Sequence, residues 1–363
     1  MSGSKLFEPI KVGSVELQNR VVLAPLTRFR NDDDGSPNAD LAVPYYAERA
    51  LVPGTLLIAE ATDPSLFAGA YPNVPGLHTD AQVEAWKKVT KAVHDKKSFI
   101  FDQIWSLGRV NPGVVQPKIY GPSPIADGEA KVPEELTKEE IHELQQNFVT
   151  ASVNAINAGF DGVEIHGAHG YLVDQFFQAV SNQRTDEYGG SVENRARFGL
   201  EIVDKVAAAI GADKVGIRLS PFSEFQSMKD ENPYPQFEYI ISKLQEVHPD
   251  LAYLHVVEPR VSGGSERVWN EKEESTEPFH KLWKGAWIAA GGFTPESAIE
   301  YANTHENSLV AFGRSFVSNP DLVARVKEGI AFRPYDRNQF YNAKAKEGYL
   351  GYEFAPELKG KYY

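Results

Sequence analysis

Eight apolar, β-branched runs alternate with helical segments along the 363-residue chain, and that alternation limits the folds open to it. The runs are 21–24, 55–59, 98–103, 162–165, 215–219, 253–257, 286–289 and 309–312. Helix starts are legible between them. Thr79 with Gln82 and Thr137 with Glu140 fit capping boxes, and Thr294 precedes Pro295 at a first helical position. The segment 138–157 spaces Ile141, Leu144, Phe148, Ala151, Val153 and Ile156 mostly along one stripe. Eight strands, each followed by helical material, is the count for a closed parallel α/β barrel, the (β/α)8 TIM barrel, rather than an open doubly wound sheet. No GxGxxG follows the first run, so the Rossmann alternative loses its main support. A barrel with insertions absorbs residues 1–363 as a single domain, although length alone suggests about two.

Three stretches exceed a minimal barrel. Residues 13–17 read as part of an N-terminal hairpin ahead of the first strand, placed to close the barrel's bottom. Residues 106–133, with five prolines and four glycines, follow the third strand. Residues 259–277, with Gly263-Gly264 and a run of charges, follow the sixth. Both loop insertions lie at the C-terminal face of their strands, where lids are expected; the alternative, a solvated loop without a role, applies above all to 270–277.

The net charge of −13 argues against nucleic acid or an anionic membrane as the main partner, since both require a basic face. With no cysteine, disulfides, thiolate zinc sites and iron–sulfur clusters are excluded. No apolar run approaches membrane-spanning length, the first residues carry no signal-peptide core, and Ser2 stands where myristoylation needs glycine. A soluble cytoplasmic protein is the expectation.

The densest chemistry lies in 161–182, DGVEIHGAHGYLVDQFFQAVSN. His166, His169 and Tyr171 follow the strand-like 162–165, with Gly167 and Gly170 between them. Two imidazoles and a phenol on a glycine-loosened turn offer two donors and a proton source to one small ligand. Two other readings stand beside this one: histidines satisfied by backbone groups, or an HxxH metal pair lacking an obvious third ligand nearby. The ends of the other strands give Pro25, Leu26, Thr27 and Arg28 after the first, Gln103 and Trp105 at the third, and Arg218 near the end of the fifth. Gly291 and Gly292 follow the seventh, and Gly313 and Arg314 the eighth. The set contains almost no acid and no obvious nucleophile. Its amide, guanidinium and hydroxyl groups suit a flat heteroaromatic ring rich in carbonyls and nitrogens, and its glycine pairs occupy the usual phosphate position of such barrels. Arg218 has a second reading, as a core ion-pair partner.

Longer motifs run through the same positions: APLTR at 24–28, FDQIWSLGR at 101–109, AGFDGVEIHGAHGYLVDQFF at 158–177, and SNQRTDEYGGSVENRARF at 181–198. VGIRLSP at 215–221, YLHVVEPRV at 253–261 and FGRSFVSNPDL at 312–322 continue the series. In these motifs the chain resembles the Old Yellow Enzyme family of FMN-dependent ene-reductases, in its yeast, fungal and plant-like branch, from about Leu6 to Tyr341. The resemblance implies bound FMN. Thr27 would meet the flavin O4 edge, Gln103 its pyrimidine side, and Arg218 N1 and the C2 carbonyl. Pro25, Leu26 and Ala61 would pack the ring. Gly291, Gly292, Gly313 and Arg314 would bind the phosphate, while Phe340 and Tyr341 would flank the dimethylbenzene edge. It further implies that His166 and His169 bind the carbonyl or nitro oxygen of an activated alkene. Hydride would pass from flavin N5 to the β-carbon, with Tyr171 protonating the α-carbon. NADPH would reduce the flavin in the same pocket, giving ping-pong kinetics in a monomer or homodimer. Trp105, Phe225 and Tyr341 are expected in the substrate-pocket wall; Asp161 and Glu164 are read as structural.

The chain departs from the family pattern in places. His169 stands where some members carry asparagine, and Ala61 where many carry glycine. The loop 261–269 differs, leaving Ser265 to Trp269 as candidates for the lid residue. Two other activities compete: a flavin-dependent isomerase or oxidase of a biosynthetic pathway, and a non-catalytic flavin- or ligand-binding barrel. The presence of His166, His169 and Tyr171 favours the reductase.

Overall fold

In a computed structural model, which describes residues 3–363, eight parallel strands close into a barrel; the reading of Ser2 lies outside the described residues. The strands are Val21–Leu23, Leu56–Thr62, Phe99–Ile104, Gly162–Gly167, Val215–Leu219, Tyr253–Val257, Trp287–Ala290 and Ser308–Phe312. Each pairs with the next, and the eighth pairs with the first through Ala311 beside Val22. Helices pack outside, among them Asp80–His94, Lys138–Asn157, Val192–Ile210, Tyr234–Val247 and Pro295–Thr304. Thr79, Thr137 and Thr294 each cap their helix through reciprocal bonds with the residue three positions on.

The structure adjusts the expected boundaries. The second strand runs on to Thr62, and the fourth runs on through His166 and Gly167. His166 is therefore a strand residue, paired with Arg218, and not part of the turn after it. On Lys138–Asn157 the buried row is Ile141, Leu144, Phe148, Ala151 and Ala155, whereas Val153 is exposed. Five residues beyond Phe148, Val153 has turned well off the stripe at 3.6 residues per turn.

The barrel interior is filled in layers. Val22, Leu56, Ile58, Phe101, Tyr253, Ile288 and Leu309 form an apolar plug, sealed below by Val12, Val15 and Leu17 of a hairpin pairing Ile10–Val12 with Val15–Leu17. Gly13 at its turn has φ +52°, and a Cβ there would fall 1.9 Å from the Asp213 carbonyl oxygen at the foot of the fifth strand. The hairpin thus closes the bottom.

Both insertions are built into the body. In 106–133, Tyr120–Gly121 pairs with Glu134–Glu135, and the Tyr120 hydroxyl donates to the Phe67 carbonyl at 2.7 Å. In 259–277, Val261–Ser262 and Ser265–Glu266 form a small ribbon. Residues 270–277 are tied down and not merely solvated: Glu274 is buried and pairs with Lys229 and Arg267, and Thr276 Oγ1 donates to Glu258 at 2.9 Å.

Gly162 and Gly216 make room for the two plug rings. A Cβ at Gly162 would lie 2.4 Å from Phe101 Cε2, and one at Gly216 would lie 2.4 Å from Tyr253 Cε2. Overpacking of this kind costs ~1–3 kcal/mol. Gly162→Ala and Gly216→Ala should each lower the urea midpoint accordingly; an unmoved midpoint would mean that the rings have space to retreat.

Candidate active site

Above the plug the inward side chains turn polar. Gln103, Glu164, His166, Arg218 and His255, all buried, come from the third to sixth strands. Gln103 Nε2 donates to Glu164 Oε1 at 2.7 Å, and His255 Nδ1 lies 2.8 Å from Glu164 Oε2. Burial opposes ionisation of Glu164, but His255, Arg218 and Gln103 together bring its pKa below the usual carboxylate value. Burial also pulls the Arg218 guanidinium down, against the opposing charge of Glu164.

The turn that follows the fourth strand is held from several sides. His169 sits at φ +57°, in the left-handed region, and its backbone N–H donates to Ser220 Oγ at 2.7 Å. The Gly170 N–H donates to Asp174 Oδ2 at 2.8 Å, and Gln175 Nε2 reaches the Gly170 carbonyl at 2.7 Å. These bonds set the His169 and Tyr171 side chains near the His166 ring. Ring centres lie 6.0 Å apart for His166 and His169 and 5.0 Å for His166 and Tyr171. Trp105 backs the group at 4.7 Å from Tyr171 and 6.2 Å from His166. His166 Nδ1, His169 Nε2 and Arg218 Nε are buried polar atoms without a protein partner. Such atoms are costly unless a ligand or solvent meets them. Burial, then the Arg218 charge, holds both imidazoles well below their ordinary pKa. Burial pushes the Tyr171 phenol far up. The rings are therefore neutral, and the phenol keeps its proton.

Two cavities meet this group. One, of about 270 Å3, runs across the barrel mouth between His169 and Arg218 at one side and Gly291, Gly292, Gly313 and Arg314 at the other. Pro25, Leu26, Phe340 and Tyr341 are among its walls. The second, of about 520 Å3, is lined by Tyr71, Arg109, Tyr171, Phe225 and Gln226 among others. Phe225 therefore belongs to the outer cavity and is part-exposed, with its ring set against the Gly263 turn of the ribbon. Thr27, Ala61, Gln103, Trp105 and His166 do not border the first cavity; Ala61 pairs with Gln103 in the adjoining strand, and Trp105 touches His166 and Tyr171. Of 265–269, only Glu266 reaches that cavity, 3.6 Å from Arg314.

Arg28 does not face the mouth but is buried beneath it. Its Nε donates to the Phe340 carbonyl at 3.1 Å and Nη2 to the Gly348 carbonyl at 2.6 Å. Arg30 donates to the carbonyls of Phe340, Gln339, Ala345 and Glu347. Two arginines of the first loop thus pull the C-terminal segment back over the mouth and place Phe340 and Tyr341 in its wall. Sequence reasoning missed Arg260, Phe293, Tyr335 and Arg337, which also border the first cavity or its rim. Arg260 Nε donates to the Gly291 carbonyl at 2.6 Å while its guanidinium lies 4.2 Å from the Phe293 ring centre. Its position just past the sixth strand was the available signal. Arg337, which bonds the Gly264 carbonyl, had none.

The residues present suit a flavin mononucleotide. Orphaned donors on His169 and Arg218 border the mouth cavity, and so do glycine backbone and Arg314. Comparison with known proteins points the same way. Residues 5–332 match the family model described as the NADH:flavin oxidoreductase / NADH oxidase family. The crystal structure of Old Yellow Enzyme from Pichia sp. AKU4542 superposes with a TM-score of 0.91 and 39% identity, covering 98% of this chain and 95% of that one. The chain belongs to this flavin oxidoreductase family, in its Old Yellow Enzyme group, and is an oxidoreductase. Among individual relatives, chanoclavine-I aldehyde reductase fgaOx3 of Penicillium roqueforti is 45% identical over 98% of both chains. A protein named probable inactive reductase easA, of Epichloe festucae var. lolii, is 42% identical over 98% of this chain and 97% of its own length.

Because the two imidazoles are held neutral, their ring resonances should keep neutral-form values from pH 8 down to 5.5. A midpoint near the ordinary value of about 6.5 in histidine NMR would show instead that solvent reaches them.

Proposed function

We propose that this protein is an FMN-dependent ene-reductase, using NADPH to reduce the C=C bond of α,β-unsaturated aldehydes, ketones or nitroalkenes, with residues 1–363 acting as one unit. The observation that carries the reading is the juxtaposition of His166 Nδ1 and His169 Nε2, buried and unpartnered, with a protonated phenol on the neighbouring ring. Relatives that bear reductase names support the class.

In this reading Gly291, Gly292, Gly313 and Arg314 hold the FMN phosphate. Thr27, Gln103 and Arg218 hold the polar edge of its ring, and Pro25, Leu26, Ala61, Phe340 and Tyr341 surround the rest. Bound FMN supplies the two-electron chemistry, accepting from the nicotinamide and giving to the alkene. His166 and His169, as neutral N–H donors, bind the substrate's carbonyl or nitro oxygen and stabilise the negative charge that develops there. Donors fixed in place before the reaction pay no reorganisation during it. Tyr171 gives its phenolic proton to the α-carbon, and solvent restores it. The net change is addition of two hydrogens across the double bond for one NADPH and one proton consumed. Trp105, Phe225 and Tyr341 form the substrate wall.

Substituting Tyr171→Phe should slow enone reduction by about 10²–10⁴-fold while flavin reduction by NADPH stays within a few-fold. Stopped-flow absorbance separates the two half-reactions. Equal slowing of both would remove Tyr171 from the proposed role, and parent protein whose reduced flavin ignores cyclohexenone would remove the reductase reading.

A further inference from the structure

Among the described residues, Glu164 is the carboxylate that stands with Gln103, His166, Arg218 and His255 in the polar layer beneath the mouth, and the reductase reading gives it no task. It is fully buried, bonded to two neighbours and electrostatically linked to a third. Gln103 Nε2 donates to its Oε1 at 2.7 Å, His255 Nδ1 lies 2.8 Å from its Oε2, and Arg218 acts on its charge through space. The strand pairing explains the convergence. Glu164 is the register partner of Gln103 on the third strand, and Arg218, two residues past Glu164's partner Gly216, is the register partner of His255.

Two consequences follow from elementary chemistry. An ionised carboxylate only accepts hydrogen bonds, so the Gln103 amide must turn its NH2 toward Glu164, leaving its carbonyl oxygen on the other side. An anion in the same low-dielectric layer as Arg218 also offsets part of that guanidinium's field at the mouth. We propose that Glu164 is a positioning residue for the flavin site, fixing which end of the Gln103 amide faces the ring and restraining the pull of Arg218 on the flavin's electrons. The proposal rests on the FMN reading above.

The two effects can be separated by substitution. Glu164→Gln keeps an acceptor for Gln103 and deletes the charge. With Arg218 unopposed, the reduced flavin should be favoured over the oxidised by a further tenfold, which is about 30 mV more positive for a two-electron couple. Glu164→Asp keeps the charge but withdraws it from Gln103. The flavin potential should then stay within a threefold equivalent of the parent's, while oxidised FMN binds roughly tenfold more weakly.

Potentials are read by equilibration with a reference dye, and affinity by quenching of FMN fluorescence on adding apoprotein; neither depends on turnover. Parent potential and parent affinity in both variants would overturn the inference and leave the flavin reading intact. Parent apoprotein that takes up no FMN would overturn both. Should Glu164→Gln not fold, Glu164→Asp still decides, since unchanged FMN affinity there contradicts the positioning role.

Discussion

A closed barrel has to fill its own interior, and in this molecule the filling changes character along the axis. At the bottom, Phe101 and Tyr253 occupy space that only Gly162 and Gly216 leave free, and a hairpin seals the end. Two residues further along the same strands, Gln103, Glu164, Arg218 and His255 replace them. Side chains alternate along a strand, so a shift of register by one residue would swap this row for outward-facing ones. The apolar plug therefore fixes the height and direction of every polar group above it.

That polar layer is costly to bury. Burying charges without partners is strongly unfavourable, and breaking a buried pair typically costs ~3–5 kcal/mol. Here one anion is surrounded by an amide, an imidazole and a guanidinium, while donors on His166, His169 and Arg218 remain without protein partners. A chain selected for stability alone would satisfy those donors or dispense with them. Those unmet donors leave the layer with hydrogen bonds to give.

Much of this was legible in the sequence, for identifiable reasons. Strands of β-branched residues and capping threonines report local physics, so the eight-strand count, the barrel and three helix starts could be read directly. Strand ends were less so. His166 looks like the opening of a glycine-rich turn, yet it pairs with Arg218, because the barrel's ladder outlasts the apolar run. Residues brought in from far along the chain were least legible. Arg28 reads as a mouth residue, but two of its partners are carbonyls more than three hundred positions away, which no local pattern encodes. Arg337 reaches the ribbon turn by the same kind of contact.

The clamp of Arg28 and Arg30 on the carbonyls of 339–348 has a bearing on how such a molecule is made. Synthesis proceeds from the N-terminus, and domains begin folding as they emerge. Here the first loop must wait for residues 339–348 before its guanidiniums find these carbonyl partners, and the first strand waits for the eighth to complete its pairing. The wall formed by Phe340 and Tyr341 is thus raised only after residues 339–348 have left the ribosome. A nascent chain that lacks those residues has no finished mouth to offer.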